Sequence, residues 1–439
     1  MKRLLIILCS IILVFDLSYP QAPDSLTLEE CHQRAIEQYP LSAQFTLLEQ
    51  KNELEIKKLN TNYLPHVNIN GQASYQSEVT KVNVIFKPIY LPPPINQELP
   101  APSPVVPYPP KDQYKFNLNI DQVIYDGGIT ANQKKVELAN HTIERQNVEI
   151  ELYRLKQQIN HVFFSITLLQ ESELLLQVLK SQIGDKLKDI ESAVKYGMAL
   201  ESDHDVLAAE LMKIEQQMAE VIISKEAAFI MLQELTSSDI NPNTHLVLPE
   251  PQVALDQYEN KRLEYALFDL YKSRNEAARK LVNAQWMPKV VGYGQLGYGQ
   301  PGLNMMDPRW DTYYIFGARL NWNIWNWNKY KKESQVLDVQ NQIINTQKES
   351  FDKNIKVATA QDVAEVKKYE YLILKDNEII KLRNRVAKTA SSQLDNGVIT
   401  STDYIQRVND ATQAEINMKT HEIQLIQAKI NYLATVGKL

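Results

Sequence analysis

The stretch Tyr114-Lys-Phe-Asn-Leu-Asn-Ile-Asp-Gln-Val-Ile-Tyr-Asp126 decides the fold. Tyr114, Phe116, Leu118 and Ile120 alternate with Lys115, Asn117, Asn119 and Asp121. Successive side chains of a β-strand point to opposite faces, so this is a strand with one apolar and one wet face. The pattern returns 200 residues later, where Tyr314, Phe316, Ala318, Leu320 and Trp322 alternate with Gly317, Arg319, Asn321 and Asn323. Ile124 and Asp126 have counterparts in Ile324 and Asn326.

Each strand has a partner upstream. Val67, Ile69, Gly71, Ala73 and Tyr75 alternate with polar residues, and Val290, Gly292, Gly294, Leu296 and Tyr298 mirror them. Four strands are expected per chain, over about 66–80, 113–124, 289–299 and 313–324. The loop between the first two, 88–110, is rich in proline, ten of 23 residues. Proline cannot donate to a ladder, so this segment is expected to be an extended, mobile loop.

The rest reads as helix. Ser25-Leu-Thr27-Leu-Glu29-Glu30 has the spacing of a capping box, Thr27 with Glu30. From about Ile129 to Tyr196 a heptad seam runs through Leu152, Leu155, Ile159, Val162, Ile166, Leu169, Leu176 and Ile183, with Glu173 and Lys180 in two of its slots. A second apolar set, Val148, Phe163, Leu174 and Leu175, lies off that seam, so the helix is expected to touch neighbours on both flanks. Tyr196-Gly197 interrupts it. A 4-3 spacing then resumes through Leu207, Leu211, Ile214, Met218, Val221, Ala228, Leu232 and Leu235, with Lys225 in the one polar slot. This is a long helical hairpin.

The whole arrangement occurs twice. Pro288 follows Pro65 by 223 residues, whereas Gly397, Asp403 and Ala428 follow Gly197, Asp203 and Ala228 by 200; the proline-rich insertion accounts for the difference. The unit helix–strand–strand–helix–helix spans 23–236 and again 258–439, with a linker over 237–257 containing Pro242, Pro249 and Pro251.

Lys2, Arg3 and the apolar run Leu4–Val14 form a signal peptide, ending near residue 22. Its removal leaves Cys31, expected to fill a helix face, and excludes an intrachain disulfide. No other run approaches spanning length, so membrane insertion is expected by strands alone. The net charge of −6 speaks against nucleic acid as a partner.

Four amphipathic strands cannot stand alone in lipid, where unpaired edge groups each cost several kcal/mol. They must close into a barrel shared between chains. Two chains would give eight strands and a filled interior; three would give twelve and a lumen. The inward residues Asn68, Asn70, Gln72, Lys115, Asn117, Asn119, Asp121, Arg319 and Asn321 favour the wet lumen and a homotrimer. All five tryptophans lie in or beside the second hairpin. Trp322 and Trp325, with Tyr63, Tyr114, Tyr125, Tyr313 and Tyr314, fall where aromatic belts meet the membrane interface. A sandwich would also use aromatics, but nothing else in the chain is strand-like enough to form a second sheet.

The chain resembles the TolC-like outer-membrane efflux proteins. The resemblance rests on Leu26-Thr-Leu-Glu-Glu30 with Ala35 and Pro40, on Tyr-Leu-Pro65 and Trp-Met-Pro288 before the strands, and on Ile124-Tyr-Asp-Gly-Gly128. Gly197 and Gly397, each followed six residues on by Asp203 and Asp403, complete it. It implies an α+β membrane protein in the outer membrane of a Gram-negative bacterium: a trimeric twelve-stranded transmembrane β-barrel continuous with a long periplasmic α-helical barrel of coiled-coil hairpins. It further implies a periplasmic adaptor (membrane fusion) protein and an inner-membrane pump of RND or ABC type as partners. The implied function is the exit duct of a tripartite efflux pump; the same architecture serves as the outlet of type I protein secretion. The family's periplasmic aperture maps to Gly197, Glu201, Asp203 and Asp205 in the first hairpin tip and to Gly397 and Asp403 in the second. Copies of Asp203 and Asp403 would form an acidic ring favouring cations; equally, an Asp in a first helical turn complements the helix dipole and needs no pore. Gln406 stands where the family often has a further acid. A periplasmic coiled-coil scaffold or adhesin would not need the four strands.

No catalytic motif emerges. Gly292-Tyr-Gly294-Gln-Leu-Gly297 spells a dinucleotide fingerprint, but the glycines lie inside an alternating strand and no helix opens on them. His204 between Asp203 and Asp205 reads as a solvated helix start rather than a metal site. An enzyme, a cofactor and a bound metal are not expected.

Overall fold

A computed structural model describes residues 25–84, 86–101, 106–253, 255 and 260–439. The expected signal peptide and part of the linker lie outside the described residues. In chain order the elements are β1 (Ser25–Thr27), α1 (Leu28–Gln38), α2 (Gln44–Asn60), β2 (His66–Tyr75), β3 (Ile89–Tyr90), β4 (Glu98–Leu99), β5 (Asp112–Tyr125), α3 (Ile129–Lys195) and α4 (Glu201–Thr236). There follow β6 (His245–Val247), α5 (Leu263–Gln285), β7 (Lys289–Gln300), β8 (Asp311–Asn321), α6 (Lys329–Asp395) and α7 (Ser401–Val436). Helices α3 and α6 have 67 residues each, and α4 and α7 have 36 each. The chain divides into a sheet unit, within 46–145 and 267–347, and a helical unit, within 1–45, 146–266 and 348–439.

The sheet unit is built on one four-stranded sheet of order β2-β5-β7-β8, antiparallel throughout. β2 ends at Tyr75 rather than running to residue 80, because its partner begins at Asp112, opposite Tyr75. Gln76 N–H still donates to the Lys111 carbonyl at 2.9 Å before the chains part. β8 stops at Asn321, opposite Lys289, since β7 offers no further partner to Trp322–Ile324. The proline-rich loop is not wholly without structure: β3 and β4 pair within it, Ile89 opposite Leu99, and Tyr90 Oη donates to Glu98 at 2.9 Å.

Asp126 ends β5 and starts α3. Its carboxylate accepts the backbone N–H of Gly128 at 2.8 Å and of Thr130 at 2.7 Å, and the Tyr63 hydroxyl at 3.2 Å. Burial pushes its pKa up, but the Thr130 hydroxyl and N–H, the Gly128 N–H and the Tyr63 hydroxyl outweigh it and hold the group below the ordinary Asp value. Asn326 does the same for α6, accepting Lys329 N–H at 3.1 Å. The Asp126/Asn326 correspondence is therefore a pair of helix caps.

In the helical unit α1 begins with the expected capping box: Thr27 N–H donates to Glu30 at 2.8 Å and Glu30 N–H to Thr27 Oγ1 at 3.3 Å. Cys31 and Ala35 are fully buried, and burial pushes the Cys31 thiol up to about 12. His32 joins Asn160 of α3 at 2.7 Å. The linker is more than a connection, because β6 pairs in parallel with β1 and buries Leu246 beside Leu26. Gln170 of α3 holds β6 on both sides, donating to Thr244 O at 2.8 Å and accepting from Leu246 N–H at 3.3 Å.

The heptad seam of α3 is buried at Leu152, Leu155, Ile159, Ile166, Leu176 and Ile183. Of the second apolar set, Val148 and Phe163 are buried whereas Leu174 is exposed. The polar slots find ion-pair partners on α4: Glu173 of α3 meets the polar slot Lys225 at 2.5 Å, and Lys180 meets Glu215, off the α4 seam, at 2.8 Å. One expectation needs correction. α3 does contain a stretch apolar enough, by length and composition, to cross a membrane. Within α3, Ile159, Phe163, Phe164 and Ile166 are fully buried, although only 33% of the apolar stretch is buried within the single chain.

Candidate conducting surface and helical tips

The strand registers sort the sheet residues into two faces. Val67, Ile120, Gly294 and Phe316 form one row across the four strands, and Ile69, Leu118, Leu296 and Tyr314 the next. Phe116, Tyr298, Tyr114 and Leu320 share this face. Ile69, Tyr314 and Phe316 are 79%, 70% and 70% exposed, so the rows form a contiguous apolar patch of the kind that marks an interaction surface. Trp322, Trp325 and Trp327 beyond β8 are exposed too, and Trp310 stacks on Tyr114 and Tyr298. Tyr125 stands opposite Val290 after a bulge that follows Val123.

The opposite face carries all nine residues expected to face water. Its rows are Asn68–Asn119–Gln295–Ile315, Asn70–Asn117–Gly297–Tyr313, and His66–Asp121–Tyr293–Gly317, with Gln72 and Lys115 paired at one end and Arg319 and Asn321 at the other. Tyr313 departs from the expectation of an interface aromatic. It lies on the polar face, where its hydroxyl donates to Asn117 Oδ1 at 2.7 Å. Its ring crosses Gly297 so closely that a Cβ there would sit 2.2 Å from it. Tyr293 leans the other way, over Gly317, with the Arg319 guanidinium 5.1 Å from its ring centre. Of the glycines that spelled a nucleotide motif, Gly294 and Gly297 are thus seats for the Phe316 and Tyr313 rings of the adjacent strand, and Gly292 lies against Ile124.

The two hairpin tips are built alike up to a point. Gly197 and Gly397 take φ of +73° and +66°, the left-handed conformation that ends a helix. The N–H of Met198 reaches Ala193 O and that of Val398 reaches Gln393 O, both at 2.8 Å. The next helix starts differ. Thr400 and Asp403 form a capping box on α7, with Thr400 Oγ1 donating to Asp403 at 2.7 Å. The Thr400 hydroxyl and N–H hold the Asp403 carboxyl below its ordinary value. Leu200 cannot cap α4, and Asp203, free of that task, instead accepts Ser401 N–H of the second tip at 3.2 Å. Glu201 and Asp205 are exposed.

Sequence reading missed the groups around these tips. Lys186 is buried, ion-paired to Asp395 and 5.7 Å from the Tyr404 ring centre. Asn409 donates to Glu210 at 2.8 Å, joining α7 to α4. Around them Leu176, Ile183, Leu207, Ile214, Leu394, Ile405 and Val408 form one core, so the four helices are packed together near the tips.

The chain thus combines an amphipathic sheet, with a bare apolar face and two edge strands, with paired 67- and 36-residue helices. No family model matches the sequence, and no curated protein matches it. Solved structures do. The outer-membrane protein VceC of Vibrio cholerae is similar with a TM-score of 0.65 at 10% identity, over 93% of this chain and 96% of that one. The CmeC outer-membrane channel of Campylobacter jejuni gives 0.65 at 13%, over 94% and 85%. The open state of the MtrE outer-membrane channel of Neisseria gonorrhoeae gives 0.64 at 13%, over 93% and 88%. At the level of the single chain, a small sheet with long paired helices, the fold is shared with these TolC-like channels.

Proposed function

We propose that the chain is one protomer of an outer-membrane exit duct for a tripartite efflux pump. The observation that carries this reading is the open sheet itself. β2 and β8 each have one neighbour, one face is apolar and exposed, and the other is rich in Asn, Asp and Gln. Such a sheet is satisfied in lipid only when its edges meet those of further copies. Three copies give twelve strands and a lumen lined by Asn68, Asn70, Gln72, Lys115, Asn117, Asn119, Asp121, Arg319 and Asn321. Tyr114, Tyr125, Tyr314, Trp322 and Trp325 then lie at the membrane interfaces.

The helical hairpins serve as the periplasmic wall, and their tips, with Asp203 and Asp403, as its mouth. The Asp203–Ser401 contact ties one tip to the other, so an adaptor that separates the tips must break it. The energy for transport comes from an inner-membrane pump. Small drugs, toxic compounds or metal ions are the cargo class of such a duct.

The face assignment is tested with single cysteines introduced at Phe316 and Asn119 in membranes. Phe316→Cys is expected to resist a charged thiol reagent and to be reached by a lipid-confined probe. Asn119→Cys is expected to behave the opposite way. Equal labelling of both by the charged reagent would remove the barrel reading.

A further inference from the structure

The internal repeat holds to the residue inside the sheet. Moving β2 forward by 223 positions and β5 by 200 carries the pair His66–Asp121 onto Lys289–Asn321, and Tyr75–Asp112 onto Tyr298–Thr312. Both are pairs of the folded chain, so β7 lies on β8 in the register of β2 on β5, without a slip. The seam between the repeats, β5 on β7, joins the second strand of one unit to the first strand of the next. That relation stays open at the two edges of the sheet. β8 is a second strand with no first strand after it, and β2 is a first strand with no second strand before it. Such edges present rows of unpaired backbone N–H and C=O groups, and each edge here complements the other edge of another copy.

We infer that β8 of one copy pairs antiparallel with β2 of the next, in the register of the β5–β7 seam. The same offsets turn Phe116–Tyr298 of that seam into Phe316–Tyr75, Ile120–Gly294 into Leu320–Gly71, and Asp121–Tyr293 into Asn321–Asn70. The chemistry of the joined residues agrees. Phe316 meets an aromatic on the apolar face, Leu320 passes a glycine as Ile120 does, and Asn321 meets an amide on the polar face. A slip of one residue would turn every side chain of the joined strand to the wrong face; a slip of two is what the repeat rules out. The seam also reaches past the end of β8. Val123–Val291 becomes Asn323–Asn68 and, beyond a bulge like the one after Val123, Tyr125–Val290 becomes Trp325–Val67. Residues 322–325 lie beyond β8 in the single chain, so assembly completes that strand. The inference rests on the duct reading, because the edges meet only if copies close a barrel.

The test is disulfide trapping of the full-length protein in outer-membrane fractions under a mild oxidant. Asn321→Cys with Asn70→Cys places two cysteines directly opposite, about 4.5–5.5 Å apart at Cα, a separation that a disulfide spans. Asn321→Cys with Asn68→Cys, or with Gln72→Cys, moves one of them by two residues to about 7–8 Å, beyond that span. Within one chain three strand spacings of about 4.8 Å each separate β2 from β8, so a bond between the introduced cysteines joins two chains. Boiled, non-reduced samples of the matched pair are expected to show covalent dimers and trimers and nothing larger. The slipped pairs, and the parent with its buried Cys31, are expected to stay monomeric. Ala318→Cys with Ala73→Cys, matched on the apolar face by the same offsets from Leu118–Leu296, is expected to cross-link too and covers a first variant that fails to fold. Cross-links confined to a slipped pair, or none from either matched pair in membranes that conduct, overturn the register and leave the duct standing. Parent protein recovered as a soluble, non-conducting monomer overturns the duct and the register with it.

Discussion

The pair formed by Glu173 and Lys225 offers the sharpest test of how the helices pack. The two residues occupy polar slots in two apolar seams, 52 positions apart, and meet at 2.5 Å with side chains 19% and 11% exposed. Removing one partner leaves a charge among apolar neighbours without its counterion, which costs about 3–5 kcal/mol for a buried pair. The remaining exposure places this case at the lower end, about 3 kcal/mol. A chain of 439 residues has an unfolding entropy of about 0.9 kcal/mol/K, so Lys225→Met is expected to lower the thermal midpoint by about 3 °C. Glu173→Leu should do the same. The double variant Glu173→Leu with Lys225→Met removes both charges and restores apolar packing, and is expected to return close to the parent midpoint. The assay is far-UV circular dichroism of the purified protein in detergent, which reads the helices directly. A single variant as stable as the parent, or a double variant as unstable as the singles, would refute the packing of α3 on α4 described above.

Three further outcomes follow from the same geometry. Gly297→Ala places a Cβ 2.2 Å from the Tyr313 ring, so it should reduce the yield of folded protein in the outer membrane. Adding Tyr313→Ala removes the clash and should recover that yield; a double variant no better than the single would mean that the ring is not seated there. Hydrogen bonds from Thr400 depress the Asp403 pKa, so the cap it forms is fully present above the ordinary Asp value and is lost as pH falls through the depressed one. Protection factors in the first turn of α7, with exchange referred to the intrinsic rate at each pH, should therefore fall on acidification below about pH 4 in the parent, and be low at every pH in Asp403→Ala. Asp203→Ala should raise resting conductance by releasing Ser401 N–H, and together with Asp403→Ala should weaken cation preference. Ion selectivity identical to the parent would remove both residues from the aperture.

Much of this arrangement was legible in the chain because it is periodic. The two-residue alternation from Tyr114 sorted most strand residues into the two faces that the registers give, and the 200-residue offset marked α6 and α7 as the repeat of α3 and α4. The polar slots at Glu173, Lys180 and Lys225 stood out as interruptions of apolar seams, although their partners were not visible. What escaped were contacts that depend on register between distant segments. Tyr313 read as one more interface aromatic until its pairing with Gly297, and so with Asn117, fixed it on the polar face. Lys186 and Asp395 lie 209 residues apart, and no local pattern connects them. The β1–β6 pair joins two three-residue strands too short for any periodic signal, inside what read as a helix start and a linker. The difference between the tips was in plain letters, Leu200 against Thr400. Its consequence, an Asp203 free to bind across to Ser401, needed the geometry.

The central claim is that this chain builds a water-filled path through the outer membrane. The most direct measurement is the conductance of planar bilayers receiving protein purified from outer-membrane fractions. The account predicts recovery as a trimer and discrete, long-lived conductance steps. A protein recovered as a soluble monomer that leaves the bilayer non-conducting would contradict it.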